Sequence, residues 1–503
     1  MKAHLMYPQA DFDLDKPPPL HAEDLVQDLA LDTLFDAMAG DDKFLRQVAR
    51  CALLTAFDST PEVVRYRQAV LRDCLANQAV VRDLYRLALD VLGLEQNIYL
   101  SFMTKYPSSI MHRSLKLLHL QIDLLRRLRR MADEQAGHFA SEGFGKLFAL
   151  IREEISDQYF AELQDHFEQL KLRKGFLVSA RLGPLNRGVA YCLRRYPRPQ
   201  GSWLKRLLGK KPESYIYEIA ERDETGATAL SELQDRGANE VANALAQAAE
   251  HITGFFAMLR TELAFYIGCL NLREHLSELR GDICFADVSP AGQYRQAFEG
   301  LYDICLALNM RRAVVGNDLA GDDRQLFVIT GANQGGKSTF LRSIGIAQLM
   351  LQCGLFVPAR QLRANLCDGL YTHYKREEDA SMKRGKLDEE LARMSDIVDH
   401  LSPRSILLCN ESFAATNERE GSEIARQVVR ALAEAGVKTF FVTHLHDFAH
   451  SLYEAPPPGS LFLRAERRDD GGRTFRITEG APLATAFGTD LYAQVFAEPA
   501  AAG

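Results

Sequence analysis

One segment of the chain has the residue types and the spacing of a phosphate-binding loop. Gly331 to Ser338 fit the pattern G-x-x-x-x-G-K-[ST] at every specified position. The apolar residues Leu326 to Ile329 precede it as a predicted buried strand, and Thr339 to Leu351 follow with a helical pattern. Glycines allow backbone N–H groups to point at phosphate oxygens, and the helix N-terminus adds partial positive charge. The segment therefore predicts a nucleotide-binding P-loop.

The side chains of this loop have separate roles in nucleotide chemistry. We expect Lys337 to contact the β- and γ-phosphates of ATP, and we expect the Ser338 hydroxyl to ligate Mg²⁺. ATP and Mg²⁺ are thus the predicted cofactors. The residues predicted to surround the bound nucleotide are Gly331, Ala332, Asn333, Gln334, Gly335, Gly336, Lys337, Ser338 and Thr339.

Two further predicted strands end on side chains that are suited to hydrolysis. Ser405 to Cys409 are followed by Asn410 and Glu411, and we expect Glu411 to activate the attacking water. Asn410 offers the metal an oxygen without charge, although Mg²⁺ prefers carboxylate and phosphate oxygens. A protein that binds nucleotide and hydrolyses it poorly is therefore the alternative. His444, which ends the next strand, would sense or stabilise the γ-phosphate.

The bulk composition is that of a multidomain globular protein. A chain of 503 residues is too long for one core, and a net charge of -7 excludes a wholly basic nucleic-acid coat. The nine scattered cysteines form no C-x-x-C pair, which indicates reduced thiols and no zinc site. The N-terminus has no apolar signal core, and no uninterrupted apolar run is long enough to span a bilayer. We expect a cytoplasmic protein without membrane contact.

Hydrophobic periodicity divides the chain into three regions. Residues 1–23 are proline-rich and predict an extended leader. Residues 24–282 predict helical arms, interrupted at 175–222 by a small β insert with strands at Phe176–Gly183 and Ser214–Ile219. Residues 283–503 alternate strands with helices, which is typical of a largely parallel sheet covered on both faces. A long coiled-coil dimer is the alternative for the helices.

The C-terminal region also carries a hairpin signal. Leu461 to Ile477 predict two antiparallel strands that turn at Asp470 to Gly472.

The insert contains a basic stretch, residues 194–211, with seven Lys or Arg and no acid. Basic residues interleaved with aromatics could hold a nucleic-acid backbone and stack on its bases, whereas a solvated basic loop is the equally weighted alternative. A second cluster, Arg126 to Arg130, is more typical of an exposed helix face. The candidate nucleic-acid residues are Arg194, Arg195, Arg198, Trp203, Lys205, Arg206, Lys210 and Lys211.

These motifs together resemble the ATPase domain of the MutS mismatch-repair family. The resemblance is specific over about 200 residues of the C-terminal part and looser across the preceding helices, where Tyr66 to Asp73 are similar to the family's core and lever region. The segments that carry it are Val314–Leu319, Thr330–Thr339, Phe356–Ala359, Asn410-Glu411 with Thr416-Asn417, Thr443-His444 and Glu479–Gly488.

The resemblance implies an ABC-like ATPase that works as a dimer with two composite nucleotide sites. Lys337, Ser338, Glu411 and His444 would keep the roles given above, and Val315 and Asn317 would lie near the adenine. DNA, a second copy of the chain, and repair or recombination proteins are the implied partners.

The chain departs from the family pattern at several points. Asn410 stands where the family has Asp. The family's signature segment corresponds to Gly385 to Glu390, which lacks the serine expected to reach across the dimer, and Lys386 is a candidate substitute for that serine. The clamp is expected to be reduced to about residues 175–222. We expect no domain with the mismatch wedge before the helices and no nuclease domain after the ATPase.

The sequence thus favours a MutS-like, dimeric, ATP-driven DNA-binding protein. ATP binding would change the angle between the helical arms, and hydrolysis would reset them. Two alternatives remain open: an ATP-dependent remodeller of RNA or ribosomes, and a nucleotide-gated interaction scaffold with weak hydrolysis.

Overall fold

The structure, a computed structural model, shows a multidomain chain of helices and mixed sheets. It describes residues 2–99, 106–170, 175–194, 215–220, 222–376, 385–468 and 472–483. Two compact units divide the chain. The first comprises Met1–Ala3, Arg82–Phe139 and Phe144–Arg260; the second comprises His4–Val81, Ala140–Gly143 and Thr261–Gly503. The predicted division at residues 23 and 282 stays a prediction.

The α-helices and the strands of the described chain are each numbered in chain order. The helices are α1 Ala22–Asp28, α2 Leu31–Ala39, α3 Lys43–Leu54, α4 Pro61–Ala76, α5 Gln78–Tyr99, α6 Pro107–Gln135, α7 Glu142–Glu154, α8 Asp157–Leu170, α9 Glu224–Glu278, α10 Ile304–Met310, α11 Lys337–Gln352, α12 Lys386–His400, α13 Glu418–Glu434 and α14 His446–Glu454. The strands are β1 Val178–Leu182, β2 Gly188–Leu193, β3 Asp287–Ser289, β4 Gln296–Leu301, β5 Asn317–Ala320, β6 Leu326–Thr330, β7 Gln361–Asn365, β8 Leu370–Tyr374, β9 Ile406–Asn410, β10 Lys438–Val442, β11 Ser460–Arg467 and β12 Arg473–Glu479.

The predicted helical region before residue 170 is confirmed, with its ends set by capping residues. Asp42 accepts hydrogen bonds from two N–H groups at the start of α3, and Thr60 caps α4 with Pro61 in its first turn. The structure has a break between α7 and α8. Ser156 lies at this break, and its hydroxyl accepts a hydrogen bond from Tyr159 N.

Of the two strands predicted for the small β insert, the first is confirmed and the second is wrong. Strand β1 pairs antiparallel with β2, which the sequence pattern had missed. The predicted strand at Ser214–Ile219 is wrong over its described part: residues 215–219 are irregular, and Tyr215, Ile216 and Tyr217 are 80 to 87% exposed. Alternating apolar residues predict a strand only where a neighbouring strand can pair with them.

The second helical region is a single 55-residue helix, α9. Within the first unit, Ala238 and Ala242 of α9 pack with Met111 of α6, so part of its apolar stripe is covered by the same chain. By length and composition, α9 also contains an 18-residue window with a mean hydropathy of 1.2, enough to cross a membrane. Because 72% of that window is buried inside the protein, the helix has the character of a core element.

Between His4 and His21, all of them described residues, the chain forms no helix or strand, but this segment is packed within the second unit. Leu5, Met6 and Phe12 are buried, and their backbone N–H groups donate to the carboxylate of Glu262 in α9. Tyr266, one turn further along α9, donates its hydroxyl to Leu5 O at 2.7 Å.

The C-terminal sheet confirms the prediction of a largely parallel arrangement. Its order is β12-β11-β6-β10-β9-β8; five strands run parallel, and β12 runs antiparallel to β11 as the predicted hairpin. Asp470 and Gly471, in the predicted turn, lie outside the described residues. A second sheet with the order β3-β7-β4-β5 completes this part of the chain.

Helices cover both faces of the six-stranded sheet. On one face Leu326, Val328 and Phe441 share a core cluster with residues of α12, α13 and α14. On the other face α11 packs so closely that a Cβ at Gly345 would lie 2.7 Å from Leu408 Cδ1. Because β6, β9 and β10 are parallel, their carboxyl ends meet at one edge of the sheet, and the loops that carry the predicted site start there.

Candidate nucleotide-binding site

The loop between β6 and α11 has a backbone that depends on its glycines. Gly331 and Gly336 have φ angles of 114° and 92°, in the left-handed region that favours glycine. A Cβ at Gly335 would lie 2.8 Å from Ala465 Cβ and 2.9 Å from Ala332 O. The backbone therefore favours glycine at the two positions that the motif specifies, Gly331 and Gly336, and the packing leaves no room for a side chain at Gly335. The loop leads directly into the N-terminus of α11.

Lys337, at the first position of α11, is buried with neutral partners. Its Nζ donates to Gly331 O at 2.8 Å and to Ala332 O at 3.1 Å. Burial lowers the pKa of the Lys337 ammonium, whereas the Glu411 carboxylate raises it. A buried cation whose direct partners are carbonyl oxygens is poised to accept an anion, since a phosphate would supply the missing counter-charge.

Ser338 and Asn410 meet at the edge of the sheet. The Ser338 hydroxyl donates to Asn410 Oδ1 at 3.0 Å. The two residues predicted to hold a metal are therefore neighbours, although their contact joins two uncharged groups.

Glu411 and His444 lie side by side after β9 and β10. His444 Nδ1 is 3.7 Å from Glu411 Oε1. The adjacent His444 lowers the pKa of Glu411, with smaller contributions in the same direction from Lys337 and Lys375, while partial burial acts in the opposite direction. The net effect keeps Glu411 ionised at neutral pH, as a general base requires.

A cavity of about 710 Å³ brings most of the predicted nucleotide residues together. The loop residues from Asn333 to Thr339 line it, as do Glu411, Val315 and Asn317. Gly331 and Ala332, at the start of the loop, do not line the cavity, and their carbonyls accept hydrogen bonds from Lys337. Asn410 and His444 do not line the cavity, but each lies beside a residue that does: Asn410 beside Ser338, and His444 beside Glu411. The Asn317 amide has a further partner, because its Oδ1 accepts a hydrogen bond from Ile477 N at 2.7 Å.

Two residues of β12 belong to this site and were missed from the sequence. Phe475 lines the cavity, with its side chain half exposed. Arg473 donates to Gln334 Oε1 at 2.6 Å, and its positive charge lowers the pKa of Lys337. Both lie more than 130 residues after the loop, and the pairing of β11 with β6 brings their hairpin to it. Their spacing in the sequence gave no signal of this.

The predicted nucleic-acid residues fall largely outside the described part of the chain. Arg194 ends the β1–β2 hairpin, where its Nε donates to Ser179 Oγ at 2.8 Å. Arg195, Arg198, Trp203, Lys205, Arg206, Lys210 and Lys211 lie outside the described residues. Lys386, the predicted substitute in the signature segment, starts α12 after Gly385.

A metal ion bound without nucleotide would depend on ligands that the protein supplies. Within the described ranges, no three His, Cys, Asp or Glu side chains are grouped so that they could hold a metal ion. All nine cysteines carry free thiols.

Two protein-family profiles match this chain, one in its N-terminal part and one in its C-terminal part. The profile of the MutS2 N-terminal domain matches residues 59–279, and the profile of MutS domain V matches residues 327–491.

Similar proteins include the DNA mismatch repair protein MutS of three bacteria. That of Chloroflexus aurantiacus is 29% identical over 239 residues, which are 42% of this chain and 24% of the relative. That of Bacillus subtilis is 28% identical over 240 residues, 45% of this chain and 28% of the relative. That of Caldicellulosiruptor saccharolyticus is 24% identical over 440 residues, 78% of this chain and 50% of the relative. The chain thus spans a quarter to a half of these relatives' length. Taken together, the two profile matches and these relatives show that the chain belongs to the MutS family.

Proposed function

We propose that this chain is a MutS-like ATPase that binds DNA as a dimer and couples ATP binding and hydrolysis to movement of its helical arms. The observation that carries the proposal is the cavity in which the glycine loop, Lys337 and Glu411 face one another. A glycine loop, a lysine and a glutamate that line one volume support a phosphate site beside a base. The domain that holds it would be a P-loop ATPase of the ABC-like class.

ATP would lie along this cavity with its phosphates on the glycine loop. The loop N–H groups and the N-terminus of α11 would bind the phosphate oxygens, and Lys337 would exchange its carbonyl partners for the β- and γ-phosphates. At the other end, Val315 offers apolar surface, and the ring of Phe475 offers a face on which a nucleobase can stack. Arg473 would add positive charge beside the loop.

The oxygens at the metal position fit Mg²⁺ in part. Ser338 Oγ and Asn410 Oδ1 are hard oxygen ligands at one point, and nucleotide phosphates would complete such a site. Neither group carries charge, so the protein would hold the ion weakly without nucleotide. When bound, the ion supplies charge neutralisation at the phosphates.

Hydrolysis would depend on Glu411. Its ionised carboxylate faces the cavity and can take the proton of the attacking water, while His444 beside it would stabilise the γ-phosphate. Because His444 and the nearby lysines lower the pKa of Glu411, we expect turnover to decline only when the pH falls below the usual range of a glutamate.

A single substitution tests this assignment. Glu411→Gln keeps the shape of the side chain and removes the base, so we expect kcat for ATP hydrolysis to fall about 100-fold or more while ATP binding is retained. Glu420→Gln, an exposed acid on α13, is the matched control and should leave both quantities unchanged. Turnover that survives Glu411→Gln would remove Glu411 from the mechanism.

DNA is the proposed partner because the MutS relatives are DNA mismatch repair proteins and the insert carries the basic stretch 194–211. Replacing the seven Lys and Arg of this stretch by Gln should weaken DNA binding and make log Kd less dependent on log salt. An unchanged affinity and salt slope would favour protein partners. Preferential binding of structured RNA would favour the RNA or ribosome remodeller.

One observation supports the scaffold alternative. The Ser338–Asn410 contact lacks the negative charge that Mg²⁺ prefers, so slow hydrolysis with tight nucleotide binding is the second candidate. In either case we propose a cytoplasmic location, which the nine free thiols support.

A further inference from the structure

A buried hydrogen-bond network lies behind the proposed base and joins three elements. His373 of β8 is fully buried, and its Nδ1 lies 2.7 Å from Ser412 Oγ. On the other side of the ring, His373 Nε2 lies 3.0 Å from Glu390 O in α12. Ser412 directly follows Glu411. The imidazole therefore bridges the start of α12 and the loop that carries the base.

The partners of the ring determine which nitrogen carries the proton. The Glu390 carbonyl can only accept, so Nε2 must donate to it. Burial lowers the pKa of His373 to about 4, which leaves the ring neutral near pH 7 with a lone pair on Nδ1. The single proton of the Ser412 hydroxyl then has two acceptors, His373 O at 2.8 Å and the Nδ1 lone pair at 2.7 Å. Both belong to His373, so the network directs the Ser412 hydroxyl at this residue.

The loop held by this network has an unusual backbone. Glu411 and Phe413 have φ angles of 55° and 63°, in the left-handed region that residues other than glycine rarely adopt. Such residues persist when the surrounding structure holds them in place. Here Glu411 N donates to Val442 O at 2.9 Å, and a Cβ at Gly421 of α13 would lie 2.5 Å from Phe413 O. Ser412, between the two strained residues, is held by His373.

We propose that His373 is a positioning residue for ATP hydrolysis. By holding Ser412, it fixes the left-handed backbone at Glu411 and ties the base to the start of α12, the helix that begins at Lys386. This inference rests on the proposed ATPase function and adds two residues to it. Neither lines the nucleotide cavity, so their effect is on the geometry of catalysis and not on the binding of ATP.

Four variants separate positioning from general stability. Ser412→Ala removes the held hydroxyl. His373→Asn places an oxygen near the Nδ1 position and keeps an acceptor for Ser412, whereas His373→Gln places an amide N–H near the Nε2 position and keeps the donor to Glu390 O. Ser422→Ala is the matched control, because it removes a buried hydroxyl that has no hydrogen-bond partner among the described residues.

The expected result is a split between kcat and ATP affinity. Ser412→Ala and His373→Gln should lower kcat about tenfold or more, because small displacements of a catalytic group are costly, with the ATP Kd changed less than about twofold. His373→Asn should retain more of kcat, and Ser422→Ala should match the wild type. A wild-type kcat in Ser412→Ala, or equal losses of kcat and affinity, would overturn the positioning role alone. Wild-type protein without any turnover would overturn both this role and the proposed function.

A second measurement needs no active variant. In protein with ¹⁵N-labelled histidine, the His373 signals, identified by their loss in His373→Gln, should report a neutral ring protonated at Nε2 at pH 7. A charged ring, or one protonated at Nδ1, would contradict the network.

Discussion

The arginines of α6 and the lysine of the glycine loop are all basic, but they differ in their partners. In α6 the arginines are paired with acids: Arg126 lies 3.4 Å from Asp123, and Arg129 lies 2.9 Å from Asp133. Arg129 also donates to the carbonyls of Arg152 and Ile155 at the end of α7. Lys337, in contrast, is buried against two neutral carbonyls beside a cavity.

The difference teaches which basic residues are available for a ligand. An arginine that already neutralises a carboxylate gains little from a phosphate, and its exposed ion pair contributes little to stability. A buried ammonium without a direct counter-charge gains much from an anion. We therefore expect Arg126–Arg130 to stabilise the first unit and Lys337 to bind a ligand.

The largest expected effect follows from removing the unpaired cation. Lys337→Ala should weaken ATP binding roughly 10- to 100-fold, because charge-assisted hydrogen bonds to the phosphates are lost, and should abolish turnover. Arg126→Ala, which removes a paired cation, should change neither by more than about twofold. Equilibrium titration with a fluorescent ATP analogue measures both. Equal effects of the two substitutions would contradict the distinction between paired and unpaired cations.

Glu262 adds a second buried ionisable side chain to the comparison, because its carboxylate is buried and accepts from backbone N–H groups. Burial raises the pKa of Glu262 from 4.5 to about 7, against the three N–H groups that bind its carboxylate. In that pH range the folded chain keeps a proton that the unfolded chain has lost. The resulting stability is fully present below pH 4.5 and is lost as the pH rises through about 7.

Glu262→Gln should remove this pH dependence. The difference between the wild-type and variant free energies of unfolding should change by about 2 to 3 kcal/mol between pH 5 and pH 8, with the wild type relatively less stable at pH 8. Urea unfolding at both values measures it, and Glu278→Gln, an exposed acid on the same helix, serves as the control. A pH-independent difference would mean that Glu262 does not titrate in this range.

Arg129 tests the structural side of the comparison. Arg129→Ala should lower the free energy of unfolding by about 1 to 3 kcal/mol, because two carbonyls at the end of α7 each lose a donor and Asp133 keeps only its hydrogen bond from Arg152. ATP turnover should stay at the wild-type value. Arg130→Ala, on the exposed face of α6, should have little effect on either quantity. A loss of turnover without a loss of stability would show that the cluster Arg126–Arg130 contributes to ATP hydrolysis.

The smallest expected effect comes from a substitution at Asn410 that changes only the charge of the side chain. Asn410→Asp would place a carboxylate beside Ser338, and we expect it to raise turnover and lower the Mg²⁺ concentration needed for half-maximal rate by roughly three- to tenfold. Mg²⁺ titrations of the ATPase rate measure the change. An unaltered Mg²⁺ dependence would separate Asn410 from the metal.

Local signals allowed much of this site to be predicted. The glycine loop, Lys337 and the strand ends at Glu411 and His444 lie within short segments whose pattern specifies both structure and chemistry. Arg473 and Phe475 depend on pairing of β11 with β6, and His373 reads as a core residue of a buried strand. Over its described residues, 215–219, the strand expected at Ser214–Ile219 is absent for the same reason, since the alternation of side chains does not specify a partner strand.

The most direct test is steady-state ATP hydrolysis by the wild type and by Lys337→Ala. It should be run without nucleic acid and with matched duplex, mismatched duplex, branched DNA and structured RNA. We predict that at least one DNA form changes the wild-type rate several-fold and that Lys337→Ala abolishes turnover throughout. Bound ATP without turnover under every condition, or a response to RNA alone, would contradict a DNA-coupled ATPase.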